Sequence, residues 1–109
     1  MGENKYKYKK DRYVRARGGS SRFLSLSCSN CGAYLMLYQK DGSGNLLRLY
    51  LDRIFEPDEL VDLQVKFDRA TLPNLRCLEC NKLIGTPMVY EPEKRLAYRL
   101  QKGSVIKSK

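Results

Sequence analysis

Two cysteine motifs decide the fold of this chain: C-S-N-C-G at residues 28–32 and C-L-E-C-N at residues 77–81. They contain every cysteine among the 109 residues, and the chain has no histidine. A C-x2-C turn directs both of its sulfurs into one hollow, so two turns placed face to face offer four thiolates to one ion. Gly32 and Asn81 end the two turns, and both residue types accept the positive φ that such turns often require. The motifs predict one structural Zn²⁺ with the ligands Cys28, Cys31, Cys77 and Cys80.

Four cysteines in two C-x2-C pairs have three other possible uses, namely disulfides, redox pairs and an iron site. Two disulfides would need an oxidising compartment, and the basic N-terminus shows no apolar signal-peptide segment. Redox C-x2-C pairs usually open a helix, whose dipole lowers a thiol pKa, whereas strand-like sequence follows both pairs here. Iron in the same cage of four sulfurs stays open, because the ligands alone do not separate it from zinc.

The composition predicts one small domain. With 42% hydrophobic residues, no tryptophan and three phenylalanines, the core is expected to be modest, and a bound metal would add its binding free energy to folding. No apolar run reaches the roughly 18 residues of a membrane-spanning helix, so no membrane association is expected. Reduced cysteines without a signal-peptide pattern favour an intracellular location, cytoplasmic or nuclear.

The net charge of +9 is concentrated at the two ends of the sequence. Residues 1–22 hold eight basic and two acidic side chains, and residues 94–109 hold six basic and no acidic ones. The stretch between them holds seven basic and ten acidic residues. We therefore expect a basic, disordered tail over 1–22, a zinc-stapled β domain over 23–106 and a short basic end over 107–109.

The tail alternates basic and aromatic residues and carries one Arg-Gly-Gly at 17–19. Cations can lie along phosphates and tyrosine rings can stack on bases, so this composition predicts RNA or a ribonucleoprotein as the partner. The expected nucleic-acid-binding residues are Lys5, Tyr6, Lys7, Tyr8, Lys9, Lys10, Arg12, Tyr13, Arg15, Arg17 and Arg22. Lys107 and Lys109 are expected to add phosphate contacts. A solvated tail that only aids solubility is the alternative.

Alternation of apolar and polar residues predicts a mainly β fold made of antiparallel hairpins. Residues 33–40 and 46–54, on either side of the turn signal D-G-S-G-N, predict one hairpin. No segment shows an amphipathic helical stripe, although residues 57–63 could hold one helical turn. The remaining strand predictions are residues 23–27, 61–67, 87–90, 95–100 and 105–106, with a turn between 90 and 95.

The second half of the chain resembles the end of Yippee-like proteins. The resemblance rests on three elements, namely Cys77-x2-Cys80-x2-Leu83-Ile84-Gly85, Tyr90, and Tyr98-Arg99-x-Gln101-Lys102-Gly103. Yippee-like proteins carry a C-x2-C, then a Leu-Gly, then a final hairpin rich in tyrosine and lysine. They share the zinc β-tent with the thalidomide-binding domain of cereblon and, more distantly, with methionine-R-sulfoxide reductases. The resemblance implies a β-tent-like domain with two C-x2-C zinc knuckles.

The chain is expected not to be an enzyme. All four cysteines are assigned to the metal, which leaves it no open coordination position, and without histidine no Ser-His or Cys-His pair can form. The reductases that share the β-tent use a cysteine outside the zinc quartet, and the cereblon-type cage is built from tryptophans; this chain has neither. The alternative to RNA binding is a protein- or peptide-binding adaptor of the Yippee-like type, with Tyr34, Tyr38, Tyr50 and Arg48 on its surface.

Overall fold

The computed structural model describes residues 6–108, which form eight strands and two short α-helices. The strands are β1 (Ser21–Cys28), β2 (Tyr34–Asp41), β3 (Arg48–Tyr50), β4 (Ile54–Glu56), β5 (Leu75–Arg76), β6 (Leu83–Tyr90), β7 (Arg95–Leu100) and β8 (Val105–Ser108). The helices are α1 (Arg12–Ala16) and α2 (Leu63–Lys66), and 3₁₀ turns cover Leu51–Arg53, Asp58–Leu60 and Glu91–Glu93. Neither helix is long and apolar enough to cross a membrane.

The strands form two antiparallel sheets of four strands each. The first sheet has the order β4-β2-β1-β8, and the second has the order β3-β7-β6-β5. All of the strand pairs are antiparallel. The prediction of a mainly β fold of antiparallel strands is therefore confirmed.

The apolar core lies between the two sheets. Alternation along β1 buries Leu24 and Leu26, and their cross-strand partners Tyr38 and Met36 are buried with them. Because Tyr38 is only 2% exposed, its hydroxyl needs a hydrogen-bond partner. The backbone N–H of Tyr50 donates to it over 2.8 Å. Since Tyr38 lies in the first sheet and Tyr50 in the second, this bond helps to join the sheets.

The predicted hairpin between residues 33–40 and 46–54 is wrong. β2 pairs with β1 and β4, whereas β3 pairs with β7 in the other sheet. Leu49, Tyr50 and Leu51 are buried in succession, which a regular alternating strand does not achieve because successive side chains point to opposite faces. A 3₁₀ turn follows β3 and carries the chain from the second sheet to the first.

The predicted strand over residues 61–67 is also wrong, because α2 occupies its centre. Leu60, Leu63 and Phe67 contact the core at spacings of three and four residues, which is the periodicity of a helix. Val65 lies on the other side and is 80% exposed. Apolar residues at the odd positions of this segment fit both an alternating strand and a short helix, and the local sequence alone does not decide between them.

The C-terminal hairpin has the predicted arrangement. β6 and β7 pair from Gly85 opposite Leu100 to Tyr90 opposite Arg95, around the 3₁₀ turn at 91–93. The predicted last strand is present as β8, which pairs with β1. The end of the chain therefore lies next to the strand that leads into the first cysteine motif.

Residues 6–22 are packed against the sheets, in contrast to the disordered tail expected from the sequence. The Asp11 carboxylate accepts hydrogen bonds from the first backbone amides of α1 and also binds the buried Arg53 at 2.7 Å. The rings of Tyr8 and Phe23 stack with their centroids 4.4 Å apart. The low hydrophobicity of this segment did not reveal the packing, because its partners lie far along the chain.

Candidate metal centre

Each cysteine motif forms the turn of a hairpin, and the two hairpins belong to different sheets. Residues 28–33 lead from β1 to β2 in the first sheet, and residues 77–82 lead from β5 to β6 in the second. The turns meet although 46 positions of sequence separate Cys31 from Cys77. An ion held by both turns would therefore join the two sheets directly.

The two turns have the same backbone geometry. In each, the N–H of the first cysteine donates to the carbonyl five residues later, and the residue after the second cysteine donates back to the first cysteine's carbonyl, all over 2.8–2.9 Å. Gly32 has a φ of 82° and Asn81 a φ of 66°. The positive φ predicted at both positions is confirmed, and it lets each turn curl its sulfurs to one side.

The four sulfurs lie close enough together to share one metal ion. The Sγ atoms of Cys28 and Cys80 are 3.6 Å apart, those of Cys31 and Cys77 are 3.5 Å apart, and all four lie within 4.8 Å of one another. Four sulfurs at about 2.3 Å from a zinc ion would be roughly 3.8 Å apart. All four cysteines are free thiols, since a disulfide would bring two sulfurs to about 2.05 Å. The cluster can hold a metal ion.

Local contacts shift the pKa values of Cys80 and Cys31 in opposite directions. The Asn30 side chain, followed by the Lys82 backbone N–H, lowers the pKa of Cys80 to about 6. At Cys31 the Ala33 N–H favours the thiolate, but burial and the neighbouring sulfurs outweigh it and raise the pKa to about 12. Thiolates repel one another at such short range, so a divalent cation would release the remaining protons as it binds.

Serine contacts fix the first turn in place. The backbone N–H of Ser29 donates to the Ser104 carbonyl over 3.0 Å, and its hydroxyl donates to the Gly103 carbonyl over 2.6 Å. The hydroxyl of Ser104, a residue only 1% exposed, donates to the Ile84 carbonyl over 3.2 Å. Because Ile84 lies in β6, directly after the second turn, these bonds link the two halves of the metal centre. Isolated serines carry no distinguishing pattern in the sequence, so these bonds could not be predicted from it.

Several predicted nucleic-acid-binding residues are held against the body of the protein. Their contacts are Tyr6 Oη to the Glu56 carboxylate, the Lys9 N–H to the Gln39 side chain, the Tyr13 ring beneath the Arg95 guanidinium, and Arg17 to the Glu93 carboxylate. These tyrosines and Arg17 therefore stabilise the fold of the N-terminal segment.

Other residues from the same prediction face solvent. Lys7, Lys10, Arg12 and Arg15 are exposed and form no ion pair with another described residue. Arg22 is half-buried on β1, and Lys107 is exposed on β8. Lys5 and Lys109 lie outside the described residues.

Tyr8, Lys10 and Arg15 line one groove of about 480 Å³ at the N-terminal segment. One face of the Tyr8 ring stacks on Phe23, and the residue is still 39% exposed. Asp11 also lines the groove, but its carboxylate is bound to Arg53. The groove thus combines an aromatic ring with two cations that have no carboxylate partner among residues 6–108.

The surface suggested for a protein-binding adaptor is mostly internal. Tyr38 and Tyr50 are 2% and 7% exposed and belong to the interior. Tyr34 is 52% exposed, and its hydroxyl donates to Glu56 over 2.9 Å. Arg48 is half-buried with its guanidinium over another tyrosine ring. Of the four residues, Tyr34 alone presents a largely exposed side chain.

A buried ion-pair cluster around Arg53 was not foreseen from the sequence. Arg53 is 1% exposed and binds Asp41 at 2.8 Å as well as Asp11 at 2.7 Å. The Asp41 carboxylate also accepts hydrogen bonds from Ser21 and Gln39, each 2.7 Å long. The cluster joins the N-terminal segment to the end of the β1–β2 hairpin where Ser21 lies opposite Asp41, and no short-range pattern marks its members.

Comparison with family models, curated proteins and solved structures finds no match to this chain. The likeness to Yippee-like proteins is therefore a likeness of short motifs alone. The case for a function rests on the side chains described above.

Proposed function

We propose that the protein is a small, non-enzymatic zinc domain that binds RNA at the groove formed by Tyr8, Lys10 and Arg15. The convergence of these three side chains on one groove carries the proposal. Each was predicted from sequence to contact nucleic acid, and the fold brings an aromatic ring and two exposed cations together there.

Zinc is the ion that fits the four cysteines best. A cage of four thiolates with paired C-x2-C turns is a common structural zinc site, and four protein ligands complete the tetrahedral coordination. The ion would supply folding free energy by joining two hairpins that are distant in sequence. With all four positions filled by protein, and without histidine in the chain, the centre lacks an open site for catalysis.

Recognition at the groove would combine stacking with charge. A base can stack on an exposed aromatic ring without regard to its identity, and Tyr8 is held rigidly for this by Phe23. Lys10 and Arg15 would neutralise the phosphates on either side of that base. Such binding favours single-stranded RNA, because its bases are free to leave the stack.

The test uses anisotropy of a labelled single-stranded RNA at several salt concentrations. Each phosphate contact in a single strand contributes about −0.7 to the slope of log affinity against log salt. The double variant Lys10→Gln/Arg15→Gln should therefore bind less tightly and with a slope that is less steep by about 1.4. Tyr8→Leu should weaken binding by about 1–3 kcal/mol with a smaller change in slope.

Lys66→Gln/Arg69→Gln provides the matched control, since it removes the same charge from exposed positions that do not line the groove. Affinity and slope should change less in this control than in the groove variant. Equal effects of the two double variants would mean that RNA responds only to net charge, and would overturn the groove as the binding site.

Protein binding is the second candidate, favoured by an apolar groove beside the second cysteine turn. The groove measures about 570 Å³ and contains Leu60, Leu75 and Leu78 in its lining. Leu78 is 94% exposed, and Tyr34 lines the same groove. Partner capture from nuclease-treated lysate by the wild type, lost with Leu78→Ser and retained with Tyr8→Leu, would favour this role over RNA binding.

A further inference from the structure

Three cations lie on the same face of the first sheet, the face that carries the core. The β1–β2 register places Arg22 directly opposite Lys40, two residues beyond the buried pair Leu24 and Tyr38. In the adjacent ladder Lys107 lies opposite the buried Leu26. Because side chains alternate between faces, Arg22, Lys40 and Lys107 all lie on the side that faces the second sheet.

This arrangement is electrostatically unfavourable on its own. Like charges directly opposite each other destabilise a pair of strands. Partial burial, and then the positive charges of Arg22 and Arg17, lower the pKa of Lys40. The Lys40 ammonium donates to the backbone carbonyls of residues 41, 42 and 43 over 3.1–3.4 Å, and it forms no ion pair with a carboxylate of the described residues.

Beside Lys40 lies a cavity of about 160 Å³ whose lining includes Arg17, Lys40 and Arg48. Asp41 is the one acidic residue of its described lining, and Arg53 already binds that carboxylate at 2.8 Å. The charge on the cavity wall is therefore positive, with no carboxylate left to balance Lys40 or Arg48.

The cations that line this cavity are Arg17, Lys40 and Arg48. Lys40 already donates to three backbone carbonyls, so it would exchange one of these neutral acceptors for the charged oxygen of a ligand. Arg17 is occupied, since both of its terminal nitrogens donate to Glu93 over 2.8–2.9 Å. The Arg48 guanidinium donates to the Tyr50 hydroxyl over 3.1 Å and lies over the Tyr90 ring, so its other N–H groups are free of carboxylates. Ser43 and Asn45 contribute polar side chains to the same lining.

The loop that borders the cavity is fixed by a close backbone approach. A Cβ atom on Gly42 would lie 2.6 Å from the carbonyl oxygen of Arg17, and the Gly42 N–H donates to the Ser20 carbonyl over 2.8 Å. This contact holds Arg17 next to the end of β2. The loop that carries Gly42 therefore packs directly against the backbone of the N-terminal segment.

We propose that this cavity binds a phosphate group, with Lys40 and Arg48 as its charged ligands. Lysine and arginine side chains carry only donor groups, which suits the oxygens of phosphate, and the guanidinium of Arg48 keeps N–H groups beyond the one that donates to Tyr50. A cavity of this size admits a phosphate group. The negative charge of the phosphate would offset the repulsion between Lys40 and the neighbouring cations. Free phosphate and the backbone of a nucleic acid offer the same group, and the proposal is independent of the groove at Tyr8.

The experiment follows thermal unfolding of the zinc-loaded protein in sodium phosphate and in sodium chloride at matched ionic strength, with pyrophosphate as a second probe. The wild type should show a saturable rise in Tm with phosphate, because a ligand bound only by the folded state stabilises it. Lys40→Gln and Arg48→Gln should each weaken phosphate binding by at least about tenfold, the equivalent of one lost charge-assisted contact. Lys66→Gln should respond as the wild type does.

A second readout separates lost binding from lost folding. Lys40→Gln removes a repelled charge and also the hydrogen bonds to the carbonyls of residues 41–43, so its Tm in chloride serves as its own baseline. A cooperative transition in chloride with no rise in Tm on adding phosphate is the expected result. Lys40→Arg should restore the response to phosphate. Equal responses to phosphate and chloride in the wild type, or an undiminished phosphate response in Lys40→Gln, would overturn the proposal.

RNA binding by the same variants identifies the source of the phosphate. If Lys40→Gln weakens RNA binding and phosphate competes with RNA, the cavity takes a backbone phosphate. If RNA binding is unchanged while the phosphate response is lost, the ligand is free phosphate. Tyr8→Leu should leave the phosphate response intact, so failure of the RNA groove and failure of this cavity give different results.

Discussion

Replacing the buried Arg53 with methionine should strongly lower the free energy of unfolding. The substitution leaves the Asp41 carboxylate, whose side chain is 4% exposed, without its 2.8 Å ion-pair partner. Breaking a buried pair by removing one partner costs about 3–5 kcal/mol. Ser21 and Gln39 still donate to Asp41, so we expect a loss near 3 kcal/mol, a large share of the roughly 5–15 kcal/mol that holds a small domain folded.

Urea unfolding of the zinc-loaded protein, followed by circular dichroism, measures this loss. Asp11→Asn serves as a milder comparison, because the Asp11 side chain is 39% exposed and asparagine still caps a helix. This substitution should lower the free energy of unfolding by only about 1 kcal/mol. The double variant Arg53→Met/Asp41→Leu should recover part of the stability, since no buried charge is left unpaired. A loss below about 1 kcal/mol for Arg53→Met, the value of an exposed pair, would refute the reasoning.

Three further predictions concern the turns and the N-terminal segment. Gly32→Ala, at a φ of 82°, should lower the stability measured by thermal unfolding by about 1–2 kcal/mol. Asn81→Gly should not lower it, because glycine accepts the positive φ of the second turn. Equal losses of stability in the two variants would contradict the shared turn geometry. Gly42→Ala should destabilise more than Gly44→Ala, because both have positive φ but only the first would meet neighbouring backbone. Burial raises the pKa of the Asp11 carboxyl, but hydrogen bonds and the charge of Arg53 outweigh it and lower that pKa overall. The stabilisation from ionised Asp11 should therefore be complete above the usual carboxyl pKa of about 4 and should be lost as the pH falls. The urea midpoints of the wild type and Asp11→Asn should converge at acid pH.

The cluster of four cysteines could be predicted from the sequence because the geometry of each turn is local. Each C-x2-C turn needs only its own residues to direct two sulfurs to one side, and Gly32 and Asn81 reveal the positive φ of the turns. The β6–β7 hairpin was predictable for the same reason, since the turn at 91–93 and the flanking alternation are contiguous.

The features that escaped prediction depend on distant partners. β3 leaves its sequence neighbour β2 to pair with β7, and local alternation does not say which strand is the partner. The N-terminal segment folds because Asp11 reaches Arg53 and Tyr8 reaches Phe23, and neither contact is visible in a segment whose composition is typical of disorder.

Zinc content measured together with thermal unfolding tests the central claim, that one zinc ion joins the two sheets. We expect one zinc per chain in the purified protein by elemental mass spectrometry. We also expect the cooperative transition to be lost when a chelator removes the ion, and in Cys77→Ser. A protein that contains no metal, or that keeps a sharp transition after complete removal of zinc, would contradict this claim.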